Sequence, residues 1–150
     1  MFRSFVRSFA LVALVAGFAS HAFALTEPWS QERVTVLAKD LAKAVSGLRE
    51  AVKNSPSWQN PQQRKNLYKI ADILRQIEQE CISLHAQLAK GAGMEETQSN
   101  FEHIQRLKRR AQVLVPKSDV SAITQPKLDL ANGLLKQLEP YYPAPEAPAK

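Results

Sequence analysis

One stretch constrains this fold more than any other: Leu67, Ile70, Leu74, Ile77, Cys81, Leu84 and Leu88. The steps alternate three and four without a break, so one α-helix carries all seven side chains along a single seam. A strand cannot do this, because its side chains change face at every residue. Such a seam cannot bury itself; it needs the apolar faces of other helices. Asn60-Pro61 marks its start, a capping side chain followed by proline at the first helical position. Lys90-Gly91 marks its end, with a cation in the last turn and glycine just beyond.

Three further segments supply those faces. Val34, Leu37, Leu41, Val45, Leu48 and Val52 share one helical face, and Ser30 is placed to cap them, with Trp29 and Val34 at the positions of a hydrophobic staple. Asn54-Ser55-Pro56 ends that helix. A third helix runs from about Met94 to Val115, with Met94, Phe101, Ile104, Leu107, Ala111 and Leu114 as its buried face and Pro116 as its stop. Glu95 and Glu96 in its first turn, and Arg109 and Arg110 toward its end, complement the helix dipole. In the fourth segment Val120, Ile123, Leu130, Leu134 and Leu138 share a face, and Ser118 is a candidate cap. Pro126 falls inside that pattern, so the helix either kinks there or begins there. Pro140-Tyr141-Tyr142-Pro143 closes it.

Short links between four amphipathic helices predict an all-α fold, a left-handed antiparallel up-down-up-down four-helix bundle. The expected boundaries are 1–24 for a leader, 25–142 for the bundle and 143–150 for a disordered Pro/Ala-rich tail. In that topology Trp29, Met94, Tyr141 and Tyr142 gather at one end as a cap on the core, and Trp58 lies at the other. The lone cysteine, Cys81, has no internal disulfide partner, so packing must hold the fold.

The leader reads as a secretory signal peptide. Arg3 and Arg7 give a positive start, residues 9–16 a short apolar middle, and Ala22-Phe23-Ala24 the small-x-small end, with a cut expected after Ala24. The apolar run is shorter than the roughly 20 residues a bilayer demands. No cysteine follows the cut, and the two arginines are not adjacent, so neither a lipoprotein anchor nor a twin-arginine signal is expected. The expected home is the periplasm, reached by the general secretory route, with no transmembrane segment in the processed chain. Loss of Arg3 and Arg7 lowers the net charge from +6 to +4, and export argues against nucleic acid as a partner.

Two constellations carry chemistry. Cys81 and His85 lie four apart on one helix, and His103 lies as far beyond Ala92 as Cys81 lies before it. In a regular hairpin Cys81 and His103 are level, a three-ligand set for copper or zinc, with Met94 a further ligand for haem iron. The plainer reading of the same residues is a buried seam cysteine with two flanking histidines on opposite sides. The expected architecture looks like that of the cytochrome c-prime family, which implies haem. However, Cys-x-x-Cys-His does not occur here, and the fourth helix has no histidine. The second constellation is the basic run His103, Arg106, Lys108, Arg109 and Arg110, which suits phosphate-bearing lipid or an acidic partner, or simply solvent.

No nucleophile elbow, Gly-rich phosphate loop or His-Glu-x-x-His is present. The expectation is therefore an exported, non-enzymatic binding or accessory protein without a cofactor. Its expected contacts are a partner protein, an anionic envelope lipid or another copy of itself. The alternative is a metal- or haem-binding bundle holding copper, zinc or haem.

Overall fold

The computed structural model describes residues 28–115 and 124–143. The expected leader, the residues Ser118, Val120 and Ile123, and the tail beyond Pro143 lie outside the described residues. Within them the chain forms four α-helices, α1 (Gln31–Lys53), α2 (Pro61–Ala89), α3 (Met94–Leu114) and α4 (Gln125–Leu138), with short 3-10 turns at Pro56–Gln59 and Glu139–Tyr141 and no strand.

The helix ends follow from the capping residues. Ser30 Oγ accepts the Arg33 amide at 3.4 Å, and Asn60 Oδ1 accepts the Gln62 amide at 3.0 Å ahead of Pro61. All six expected positions of α1 are buried, as is every residue of the α2 seam, with Ile73 beside it. At the end of α2, Gly91 takes a φ of 92°. Its amide returns to Leu88 O and that of Ala92 to Gln87 O, both at 3.0 Å, a Schellman closure that only glycine enters without strain. The carboxylate of Glu96 accepts the Gly93 amide at 2.7 Å and so caps α3 from within.

α1 packs along α2 and α4, and α2 along α3, whereas the backbones of α3 and α4 stand farther apart. The start of α1 meets the end of α2. There the Gln31 side chain donates to Leu88 O at 2.7 Å and to Ala92 O at 3.0 Å, and accepts from Trp29 Nε1 at 3.0 Å. At the opposite end Trp58 Nε1 donates to Val52 O at 2.6 Å and its ring meets Tyr68 edge-on. Midway, Arg49 Nε and Glu78 Oε2 form a largely buried ion pair at 2.9 Å between α1 and α2.

Trp29, Tyr141 and Tyr142 do gather at one end. Trp29 meets both tyrosines edge-on, Phe101 stacks on Tyr142 with ring centres 4.4 Å apart, and Met94 packs against the same core. Thr97, fully buried, donates to Gly93 O at 2.8 Å and shares a hydrogen bond with the Tyr142 hydroxyl at 2.9 Å, in which either oxygen can be the donor.

The fourth helix needs one correction. It begins at Gln125 with Pro126 in its first turn, where the missing amide breaks no helical bond. The buried period becomes Ala131, Leu135 and Leu138, with Leu128 packed beside them. Leu130, expected in the core, is 57% exposed, and Leu134 is only partly buried. Ala131, Leu135 and Leu138 cluster on one side of the helix, and Leu130 stands about 100° around from Ala131, so it points away from the core.

Candidate functional site: an apolar cleft and a basic helix face

Between α3 and α4 the packing opens. Val45 and Leu48 of α1, Leu74 and Ile77 of α2, Ala111 of α3 with Val115 just beyond its end, and Leu128, Ala131 and Leu135 of α4 line an open cleft of about 180 Å³. Its cause is local. After Leu107 the inward face of α3 continues as Ala111, and α4 presents Ala131 to the same space, so neither helix carries a side chain large enough to fill it.

Three polar side chains share this lining: Lys108, Gln112 and Asn132. Lys108 is only 18% exposed, and its Nζ stands 3.9 Å from Glu139 Oε1. That same oxygen already accepts from Gln105 Nε2 at 3.2 Å. No described group hydrogen-bonds the side-chain amides of Gln112 and Asn132. An ammonium held at the limit of ion-pair distance and two amides thus border an apolar space. This is a composition suited to an apolar body with a polar or negative end.

The outer face of the same helix is basic, and the structure divides the expected run. Arg106 Nη1 lies 3.9 Å from Glu102 on its own helix, His103 Nδ1 lies 3.0 Å from Glu80 Oε1, and Lys108 turns inward to the cleft. Arg109 and Arg110 are exposed and form no ion pair with a described carboxylate. Asp72 has its carboxyl held below the usual range, chiefly by hydrogen bonds from Arg75 and then Gln76, with the Arg110 charge a lesser contribution.

The expected metal ligands occupy separate surroundings. Cys81 is fully buried on the seam, and burial, then the charges of Glu80 and Glu78, push its thiol up to about 12. His103 does sit at the level of Cys81, as the hairpin spacing predicts, but on the flank, where it engages Glu80. His85 is half-buried, and Met94 packs into the aromatic end. No three His, Cys, Asp or Glu side chains converge among the described residues.

What His103 joins instead is a polar ladder between α2 and α3. Glu80 accepts from His103 and from Asn100 Nδ2, both at 3.0 Å, and Gln87 Nε2 donates to Asn100 Oδ1 at 3.0 Å and Ser83 Oγ at 3.1 Å. The signal for it was present in the chain: Glu80, Ser83 and Gln87 repeat at three and four beside the seam. The cleft had no comparable signal, because alanine at a seam position reads as apolar whether or not its neighbour fills the gap. No protein-family model, curated protein or solved structure matches this chain.

Proposed function

We propose that this chain is an exported, non-enzymatic binding protein. In this reading it is an antiparallel up-down-up-down bundle that presents the C-terminal half of α3 to an anionic component of the cell envelope. The observation that carries the reading is the pair Arg109 and Arg110 on the outer face of α3, exposed and without a described carboxylate partner. Charges left unpaired on one helix face raise the local potential and steer anionic surfaces toward it. The leader pattern over residues 1–24 supports export, and the absence of any recognisable catalytic motif from the sequence supports a binding role.

Flotation of the processed protein with vesicles containing phosphatidylglycerol tests this, with phosphatidylcholine as the neutral control. Each basic residue near an anionic surface contributes about 1 kcal/mol, so Arg109→Gln with Arg110→Gln weakens binding about thirtyfold and flattens its dependence on salt. Binding that is unaltered by the two changes, or equal on neutral vesicles, refutes the reading. Mass spectrometry of the periplasmic fraction should find a chain beginning at Leu25.

A further inference from the structure

We infer that the cleft between α3 and α4 is a binding site for a small aliphatic carboxylate, with the chain among Leu74, Ala111, Ala131 and Leu135 and the carboxylate at Lys108. This goes beyond contact with a surface, since it requires no membrane and uses none of the exposed arginines.

Two independent features specify the ligand. The space is bounded by aliphatic side chains from all four helices and contains no aromatic ring, which suits a flexible hydrocarbon better than a planar ligand that would stack. Its volume of about 180 Å³ is close to that of the roughly 150 Å³ apolar cavities that hold one small organic molecule, which limits the guest to a short chain. The polar end is set by charge. Lys108 is the ionisable member of the lining and lies mostly out of solvent, and its ion pair with Glu139 is a long one at 3.9 Å, which a carboxylate in the cleft could outcompete. A carboxylate at the mouth would take a charge-assisted hydrogen bond from Lys108. The side-chain amides of Gln112, exposed, and Asn132, partly buried, have no hydrogen-bond partner among the described residues and can meet its remaining lone pairs. An alcohol of the same length would gain the apolar burial and forgo the charge.

Titration calorimetry of the protein with hexanoate, octanoate, decanoate and octanol tests the inference, with no vesicle present. Affinity should rise about fourfold for each methylene the cleft accepts, and octanoate should bind about tenfold more tightly than octanol. Lys108→Met removes that preference while leaving octanol binding in place. Ala111→Leu fills the space and abolishes binding of both. In the unaltered protein, octanoate should shift the methyl resonances of Leu128 and Ala131, a readout that does not depend on how either variant folds. Equal affinity for octanoate and octanol, binding that survives Ala111→Leu, or no heat with any of the acids overturns the inference. The vesicle experiment with Arg109 and Arg110 stands or falls separately, because neither residue lines the cleft.

Discussion

Replacing Cys81 by alanine should reverse the order of stability between the two chains as pH rises. Where the thiol is protonated in both folded and unfolded chains, it contributes only packing, and losing it from a fully buried seam position costs about 1 kcal/mol. The folded chain holds its thiol proton to about pH 12, against 9.0 for an ordinary thiol. Between those values the unfolded chain releases the proton and the folded chain keeps it. The folded state then binds more protons, so stability falls as pH rises. Each unit is worth about 1.4 kcal/mol, which gives a loss of about 3 kcal/mol near pH 11. Alanine carries no such loss. The unaltered chain is therefore the more stable by about 1 kcal/mol at neutral pH and the less stable by about 2 kcal/mol near pH 11, with a crossing between the two. Tyr142 is raised as well, by burial, and the Thr97 hydrogen bond opposes that shift, but its effect is common to both chains. Urea unfolding under reductant, followed by circular dichroism in steps from neutral pH to about pH 11, measures the difference directly. A difference that stays constant across that range refutes the buried-thiol argument, and rapid labelling of the native thiol would point the same way.

Three further outcomes follow from the packing. Thr97→Val strands the Tyr142 hydroxyl in the core and should cost about 1–3 kcal/mol; adding Tyr142→Phe should cost little more, and losses that simply add in a double-mutant cycle would show that the hydroxyls are independent. Gly91→Ala forces a side chain onto a φ of 92° and should cost about 1–2 kcal/mol, with an unchanged melting temperature as the contrary result. Leu135→Ala should cost about 2–5 kcal/mol while Leu130→Gln stays within about 0.5 kcal/mol; the reverse order would put Leu130 in the core and the start of α4 elsewhere.

The elements that could be read from the chain are those where one residue type does one local job. Asn60-Pro61, Lys90-Gly91 and the unbroken seam each specify their own geometry, and all sit where the spacing places them. The fourth helix resisted because two registers are written over each other: Leu130, Leu134 and Leu138 form one apparent stripe, and Leu128, Ala131, Leu135 and Leu138 form another. Packing against α1 selects the second, on a helix whose start Pro126 marks. Thr97 escaped notice because a threonine on an apolar face reads as a gap in the pattern, and only Tyr142, from the far end of the chain, makes it a core residue. Gln31 escaped for the same reason, since its two carbonyl partners lie 57 and 61 positions away. Among the site residues, the level of His103 follows from counting along the hairpin, whereas its direction depends on which flank faces Glu80, and the count carries no such information.

The two tryptophans divide the fold between a near event and a far one. Trp58 closes on Val52 and Tyr68, neighbours in sequence, so its surroundings are complete once α1 and α2 have formed a hairpin. Trp29 closes on Tyr141 and Tyr142, which meet it only when the two ends of the described chain come together. Loop closure of that span carries the largest entropic cost in the molecule and is the slower kind of contact to make. Substitutions around Trp58 should therefore mainly slow folding, whereas substitutions around Trp29 should mainly speed unfolding.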